Sequence, residues 1–318
     1  MIERLQRPFD LAGKRVWVAG HRGLVGGALT RRLAAENCEV LTATRGEVDL
    51  RRQAETEAWI AARRPDVVIV AAATVGGIHA NDTRPAEFIY DNLAIETNVI
   101  HGAWRAGVEK VLMLGSACIY PRMAPQPMAE EALLTGPLEP TNQWYAIAKI
   151  AGLMMCEAYR RQYGFDAISA QPINVYGPGD NFDLESSHVV PALMAKAHRA
   201  KADGKKTLTV WGSGEPRREF LHADDLADAL VFLVRNYSGP IPLNIGTGEE
   251  LTIRELAETV AGVVGFAGEL VFDSSKPDGT PRKLLDVGKI RELGWAPKIS
   301  LRRGLAETYV WYVKNVAG

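Results

Sequence analysis

Three residues near the middle of the chain have the types and spacing that carbonyl reduction requires. Tyr145 and Lys149 stand four positions apart, and Ser116 lies upstream in Leu-Gly-Ser-Ala-Cys. Residues i and i+4 share a helix face, so the Lys149 ammonium is expected beside the Tyr145 phenol, whose pKa of ~10 it should lower. Such a phenol can exchange a proton with a substrate oxygen that a serine hydroxyl holds. The trio predicts ketone reduction if a hydride donor binds nearby; the alternative is a surface helix pair.

The N-terminal segment predicts a binding site for that donor. A strand at 15–20 leads into Gly-His-Arg-Gly-Leu-Val-Gly, and a helix is predicted at 24–36. Glycines at such a turn let backbone amides approach a pyrophosphate at a helix N-terminus, although a tight turn without a ligand is the alternative. The spacing is G-x-x-G-x-x-G rather than G-x-G-x-x-G. The predicted contacts are Gly20, His21, Arg22, Gly23, Leu24, Val25 and Gly26.

The residues after the second predicted strand, at 38–43, favour NADP over NAD. Arg45 stands where an acidic residue would bind a ribose 2′-hydroxyl, and Arg22 lies in the glycine-rich turn. Both suit a 2′-phosphate, although either arginine alone could be a solvated surface charge. Asp49 is a candidate adenine contact.

The composition is typical of a globular enzyme. The chain has 318 residues, 47% of them hydrophobic, and a net charge of −1, so we expect no nucleic-acid or membrane partner. Its three cysteines predict neither a disulfide framework nor a metal site. Residues 1–11 lack the apolar core of a signal peptide, and the apolar stretch 67–78 is too short to span a bilayer. We therefore expect a cytoplasmic location.

Strands and helices alternate through the first half of the chain. This order predicts an α/β Rossmann fold, a doubly wound parallel sheet, with a smaller C-terminal substrate-binding α/β domain. The expected domains are residues 1–172, which bind NADP, and 173–318, which mainly bind substrate and partly interleave with the first. Strands are predicted at 15–20, 38–43, 66–72, 110–115 and 166–171, helices at 24–36, 51–63, 85–106, 144–163, 188–202 and 252–264, and a loop at 211–218.

Several longer stretches resemble one known family. The chain is similar to the extended short-chain dehydrogenase/reductases and, among these, to the GDP-L-fucose synthase family, over nearly its whole length. The stretches that carry this resemblance are Ala73-Thr-Val-Gly-Gly-Ile-His, Leu114-Gly-Ser-Ala-Cys-Ile-Tyr-Pro, Leu138-Glu-Pro-Thr-Asn, Tyr145-Ala-Ile-Ala-Lys-Ile-Ala-Gly, Asn174-Val-Tyr-Gly-Pro, Ser187-His-Val-Val-Pro-Ala-Leu, Arg218-Glu-Phe-Leu-His and Lys276-Pro-Asp-Gly-Thr-Pro-Arg-Lys.

The resemblance implies a bifunctional epimerase-reductase that makes GDP-L-fucose from GDP-4-keto-6-deoxy-D-mannose with NADPH. The C4 ketone acidifies the protons at C3 and C5, so epimerisation needs a base on one face of an enolate and an acid on the other. The resemblance assigns Cys118 as the base and His188 as the acid. Without it, Cys118 would be interpreted as a buried packing residue and His188 as a helix N-terminal residue bonded to backbone.

The resemblance also implies further contacts. Lys283 is a weaker basic candidate, and His79 is expected to have no role. Ala117, Lys196 and the stretch Arg45-Gly46-Glu47 depart from the family pattern. The implied cofactor contacts are Leu114, Gly115, Ser116, Lys149, Pro172, Ile173, Asn174, Val175 and His188, and the implied substrate contacts are Lys196, Trp211, Arg218 and Asp278.

Other functions remain open at this point. A related enzyme could act on a GDP-4-keto heptose or 3,6-dideoxy sugar with the same catalytic residues and a single epimerisation. A non-catalytic NADP-sensing regulator disagrees with the retained Ser116, Tyr145 and Lys149. A structural or interaction protein is the third class. Helices 85–106 and 144–163 could pair across a two-fold axis as a bundle, and the resemblance implies a homodimer through that bundle.

Overall fold

A computed structural model describes residue 5 and residues 7–184, 186–276 and 278–317. The N-terminal stretch 1–11, where no signal peptide was expected, and the motif 276–283 each lie partly outside the described residues. The strands are β1 (Arg15–Ala19), β2 (Glu39–Leu41), β3 (Val67–Val70), β4 (Lys110–Leu114), β5 (Asp166–Pro172), β6 (Asn174–Tyr176), β7 (Thr207–Trp211), β8 (Arg217–Arg218), β9 (Phe220–His222), β10 (Leu243–Ile245), β11 (Leu251–Thr252), β12 (Glu269–Asp273) and β13 (Arg282–Lys283). The helices are α1 (Leu24–Leu33), α2 (Gln53–Arg63), α3 (Ile78–Thr83), α4 (Pro85–Arg105), α5 (Gln143–Tyr163), α6 (Val189–Ala202), α7 (Ala223–Asn236), α8 (Ile253–Val264), α9 (Gly288–Glu292) and α10 (Leu301–Asn315).

The central element is a parallel sheet, which confirms the predicted fold class. Within the described residues, it has six strands in the order β10-β5-β4-β3-β1-β2. The five predicted strands are present, each within a few residues of its predicted ends. The sixth, β10, was not predicted. It pairs with β5 through Leu243 and Ala170, and three residues give too short a pattern to recognise without that partner.

Successive residues of each strand enter different cores, because side chains alternate across a sheet. Val16 and Val18 pack with helices α1 and α7, whereas Trp17 packs on the other face with helices α2 and α4. In β3, where every residue is buried, Val67 and Val68 divide in the same way. Both faces are therefore covered by helices, as continuous apolar strands require.

The second half of the chain contributes to two cores. Helices α6, α8 and α10 pack with β7 and β12 around a core of their own. Helices α7 and α9 and strand β10 instead add their apolar side chains to one of the cores of the large sheet. The predicted domain bounds, 1–172 and 173–318, stay a prediction.

The segment 211–218 corrects a prediction. We predicted a loop, but Trp211 ends strand β7 and residues Arg217–Arg218 form strand β8. Strand β8 pairs with both β11 and β13. Its hydrogen bonds go to residues distant in the chain, so the local glycine and arginine content could not indicate them. None of the helices in the described part of the chain is long and apolar enough to cross a membrane.

Gly26 packs helix α1 against the end of β1. A Cβ at this position would overlap the carbonyl oxygen of Gly20 and lie 2.8 Å from the Cα of His21. We therefore expect Gly26→Ala to lower the free energy of unfolding by about 1–3 kcal/mol, as overpacking against backbone does. Chemical denaturation followed by circular dichroism measures this loss.

The neighbouring residue Gly27 offers a matched control. A Cβ there would meet its nearest atoms at 3.7 Å, which is ordinary contact. Gly27→Ala should be neutral or stabilising by up to about 1 kcal/mol, since alanine favours the helix. Equal stability of the two variants would contradict this packing argument.

Candidate active site

A cavity of about 830 Å³ lies along the carboxyl ends of the sheet strands. Its wall includes Gly20, which follows β1, Ala71, which follows β3, and the last residues of β4 and β5, Leu114 and Pro172. Ligands bind at this edge in doubly wound folds, because the strand-to-helix turns converge there. The glycine-rich turn, the reductive trio and the basic residues of the second half all reach this one space.

One end of the cavity fits the pyrophosphate of a dinucleotide. Gly23 is the N-cap of α1, and no side chain of the described residues caps it. The first backbone N–H groups of the helix are therefore available to an anion. Gly20 has φ +90°, and a Cβ there would lie 2.6 Å from the backbone of Ala72. Only glycine allows the turn to pass this close to the strand end.

Two arginines extend this end of the cavity. Arg22 and Arg45 are exposed and line the cavity, and neither forms an ion pair with another described residue. Both remain free for an anionic group such as a ribose 2′-phosphate. Asp49 also lines the cavity, and its adenine contact stays a prediction. Arg51 binds its carboxylate at 2.7 Å and lowers its pKa to about 2.

All of the predicted cofactor contacts except Gly26 line the cavity. Gly26 does not line the cavity, and its small size allows helix α1 to pack closely on the turn, while its cofactor contact stays a prediction. The residues that do line it are Gly20, His21, Arg22, Gly23, Leu24, Val25, Arg45, Asp49, Leu114, Gly115, Ser116, Lys149, Pro172, Ile173, Asn174, Val175 and His188.

The predicted reductive trio is assembled at the centre of the cavity. The Ser116 Oγ accepts from the backbone N–H of Cys118 at 3.2 Å, and the backbone N–H of Ser116 donates to Oε1 of buried Gln171 at 3.0 Å. The Lys149 ammonium lies 5.7 Å from the centre of the Tyr145 ring, as the i, i+4 spacing on α5 predicted. Its Nζ donates to the carbonyl oxygen of Leu114 at 2.9 Å and pairs with Glu96 at 2.9 Å.

The protonation of Tyr145 differs from the sequence expectation. We expected Lys149 to lower the pKa of the phenol, but its pKa is raised, first by burial and then by the negative charges of Cys118 and Glu96. The hydrogen bond from Ser116 opposes this shift only in part. The phenol therefore stays protonated, which is the state that a proton donor to a substrate oxygen must have.

Cys118 and His188 both face the cavity. The Cys118 sulfur accepts from Nζ of Lys283 at 3.5 Å and from Nδ2 of Asn142 at 3.4 Å. His188 is the N-cap of α6, but its side chain makes no capping bond with the described residues. Its side chain is exposed and lines the cavity, while surrounding protein atoms partly desolvate the ring. This desolvation, together with the positive charge of Lys283, lowers the pKa of His188.

The far end of the cavity is basic and aromatic. The Lys196 ammonium lies 4.4 Å from the centre of the Trp211 ring, and 57% of the Trp211 surface is exposed. Burial lowers the pKa of Arg218, which stands directly beside Lys283 where β8 pairs with β13. The Asp278 carboxylate accepts from the N–H and the hydroxyl of Ser213, at 2.7 and 2.8 Å. Asp278 thus holds the loop after Trp211.

Several residues of the site were missed or undervalued. Lys283 was only a weak candidate, because nothing in the sequence placed it beside Cys118. Asn142 could have been found, since it is the N-cap residue of α5, three positions before Tyr145. Asp180 lines the cavity, and burial raises its pKa to about 7. His79, for which no role was expected, also lines the cavity. The described residues contain no His, Cys, Asp or Glu cluster that could hold a metal ion.

Comparisons with known proteins agree with this geometry. Residues 16–246 match the NAD dependent epimerase/dehydratase family. The chain is 60% identical to the GDP-L-fucose synthase of Sinorhizobium fredii, over 96% of this chain and 98% of that protein. A GDP-L-fucose synthetase from Naegleria fowleri, solved with NADP bound, aligns with a TM-score of 0.91 at 29% identity, covering 99% of both chains. A GDP-6-OMe-4-keto-L-xylo-heptose reductase from C. jejuni aligns with a TM-score of 0.89 at 35% identity, covering 96% of this chain and 99% of that one.

Arg45 is expected to select the phosphorylated cofactor. Arg45→Ala should raise the KM for NADPH but not that for NADH, because only NADPH carries the 2′-phosphate. A charge-assisted hydrogen bond contributes about 1.5–3 kcal/mol, which corresponds to roughly 10- to 100-fold in KM. Arg52→Ala is the matched control, since Arg52 is also exposed but lies outside the cavity. Equal changes with both cofactors would refute the contact.

Proposed function

The chain belongs to the NAD dependent epimerase/dehydratase family and, within it, to the GDP-L-fucose synthases, and we propose that it converts GDP-4-keto-6-deoxy-D-mannose to GDP-L-fucose. It is an NADP-dependent oxidoreductase and epimerase. The reaction inverts C3 and C5 and then reduces the C4 ketone. The observation that carries the proposal is the convergence of a protonated Tyr145 with Cys118 and His188 in one cavity.

Reduction is assigned to the trio at the cavity centre. NADPH, when bound, supplies the hydride to C4. Ser116 holds the C4 oxygen, and the Tyr145 phenol delivers a proton to it. Lys149 keeps a positive charge beneath the phenol, so the phenolate that remains is stabilised until solvent reprotonates it.

Epimerisation is assigned to the cysteine and the histidine. Cys118 removes the proton from C3 or C5, and the electron pair moves into an enolate whose oxygen is the C4 oxygen. His188 then returns a proton to the same carbon from the other side. The ammonium of Lys283 donates to the Cys118 sulfur at 3.5 Å, so the atom assigned as base has a cationic neighbour in the cavity.

The basic end of the cavity suits a nucleoside diphosphate. Lys196 and Arg218 supply positive charge for the diphosphate, although the whole chain carries a net charge of −1. The exposed ring of Trp211 offers a face on which guanine can stack. Asp278 contributes mainly by holding the loop that follows this tryptophan.

A second candidate function differs in the sugar of the substrate. The similar C. jejuni protein is a reductase of a GDP-4-keto heptose, so the same residues could serve a heptose or a 3,6-dideoxy sugar with a single epimerisation. The 60% identity to a GDP-L-fucose synthase favours the 6-deoxy hexose. Incubation with GDP-4-keto-6-deoxymannose and NADPH, followed by NMR of the product, decides between them. A purely regulatory or structural role disagrees with the complete reductive trio.

We also propose a homodimer formed through α4 and α5. Trp144, Ile147 and Met154 are spaced by three and seven residues along α5, and each exposes more than a third of its surface. Tyr90 on α4 is 65% exposed. Two such helix pairs can bury these side chains against each other across a two-fold axis.

A cytoplasmic location is proposed because Cys38, Cys118 and Cys156 are all free thiols.

Tyr145→Phe tests the reductive assignment. The change removes the proton donor and leaves the ring, so kcat for NADPH oxidation with the keto sugar should fall at least ~10²-fold, the lower range for a lost acid or base. Stopped-flow absorbance at the nicotinamide band measures this rate. Near-normal turnover would exclude Tyr145 as the donor.

Cys118→Ser tests the epimerising assignment. A serine hydroxyl is far less acidic than a thiol, so deuterium uptake at C3 and C5 from D₂O should stop. The variant should still reduce the unepimerised ketone, which gives a C4 alcohol of the rhamnose type. NMR of the sugar nucleotide measures both outcomes.

Two controls accompany this variant. Cys38→Ser changes a free thiol outside the cavity and should exchange both protons normally. Tyr145→Phe should behave in the opposite way to Cys118→Ser, with exchange retained and reduction lost. If Cys118→Ser exchanges both protons at the wild-type rate, another residue is the base.

A further inference from the structure

We propose that Glu96 is a positioning residue for reduction, which acts by holding the Lys149 ammonium at the cofactor and Tyr145; this rests on the function proposed above. Glu96 lies on α4, and only 1% of its surface is exposed. Its Oε1 lies 2.9 Å from Nζ of Lys149, which is itself 2% exposed. A carboxylate buried between helices α4 and α5 is explained neither by an apolar helix pattern nor by the catalytic trio Ser116, Tyr145 and Lys149.

The space around the carboxylate is shaped to receive it. Gly152 lies three residues after Lys149, on the same face of α5. A Cβ at Gly152 would stand 2.5 Å from Oε2 of Glu96 and 2.7 Å from the Met113 side chain. A glycine here is unfavourable for the helix, so its small size serves the carboxylate. Helices α4 and α5 thus meet around one charge pair.

Glu96 determines where the free donor of Lys149 points. An ammonium has three N–H groups. One donates to the carbonyl oxygen of Leu114 at 2.9 Å. The Glu96 carboxylate is an ion-pair partner at 2.9 Å, and its oxygens accept no hydrogen bond from the described residues. These two contacts from different elements hold the ammonium in place, so that its other N–H groups can face the cavity, which Lys149 lines.

The pair also sets the charge beneath the phenol. The ionisable groups around it are Tyr145 and Cys156 on α5 and Cys118 after β4. Burial raises the pKa of Glu96, and the positive charge of Lys149 opposes that rise. The negative charge of Glu96 in turn adds to burial and to Cys118 in raising the pKa of Tyr145 and, after burial, raises that of Cys156 to about 12. An uncompensated ammonium would instead draw the proton away from the phenol. The pair therefore favours the protonated phenol that the proposed reduction requires.

Glu96→Gln tests the proposal with two measurements. NADPH affinity, followed by fluorescence titration, should weaken about tenfold or more, since a charge-assisted contact of Lys149 loses its orientation. With the keto sugar, kcat for NADPH oxidation should fall about 10- to 100-fold. Deuterium uptake at C3 and C5 should stay within about twofold of wild type, since Cys118 and His188 perform it. A purely structural role would lower reduction and exchange together.

Glu87→Gln is the matched control, because Glu87 lies on the same helix, is exposed and is outside the cavity. It should leave affinity, reduction and exchange unchanged. Equal NADPH affinity and kcat in the Glu87→Gln and Glu96→Gln variants would overturn the proposal. The affinity measurement needs no sugar, so it stands even if wild-type protein binds NADPH but reduces no GDP-4-keto sugar, a result that refutes the proposed function instead.

A double-mutant cycle separates action through Lys149 from an independent effect. Lys149→Met should lower NADPH affinity strongly, and adding Glu96→Gln should lower it no further, because the positioned group is absent. The double variant should also melt at a higher temperature than Lys149→Met alone, which leaves Glu96 buried without its cation. Additive losses of affinity would overturn the assignment of Glu96 as a positioning residue.

Discussion

A buried ammonium organises the centre of this protein. Lys149 is almost fully enclosed, and a charge in that position is tolerated only where anionic and polar partners replace water. Its partners are Glu96 on α4 and the carbonyl oxygen of Leu114, the last residue of β4. Because Lys149 lies on α5, these two contacts connect helices α4 and α5 to the end of strand β4. Ser116 and Cys118 follow the end of β4 directly. The contacts of the Lys149 ammonium therefore help to fix the positions of both residues.

The cavity separates its charges by task. Arg22 and Arg45 lie without ion pairs to the described residues at the dinucleotide end, and Lys196 and Arg218 lie at the substrate end. Between these ends, the ammonium of Lys149 lies beside the carboxylate of Glu96, and the ammonium of Lys283 lies beside the sulfur of Cys118. The positive charges at both ends can attract anionic ligands. Between the ends, the protonation of the side chains depends on the charged neighbours within hydrogen-bond distance. A chain of nearly zero net charge achieves this by local placement alone.

Lys283 links the two ends of this arrangement. It stands in register with Arg218 because β13 pairs with β8, and the buried Glu219 next to Arg218 accepts from the backbone N–H of Leu285 at 2.9 Å. These contacts place one ammonium near both Cys118 and His188. The same positive charge, together with burial, lowers the pKa of His188.

The sequence by itself determined the features that depend on neighbouring residues. Apolar runs defined the five predicted strands, glycine spacing defined the turn before α1, and the i, i+4 pair placed Lys149 beneath Tyr145. The resemblance added Cys118 and His188, both of which reach the cavity. Tertiary structure alone decided what these groups experience. The raised pKa of Tyr145 comes from burial and from Glu96, and Lys283 reaches Cys118 only through the pairing of short strands. Strand β10 and the Glu96–Lys149 pair have the same origin, because hydrogen bonding and desolvation between distant segments leave no local periodic trace.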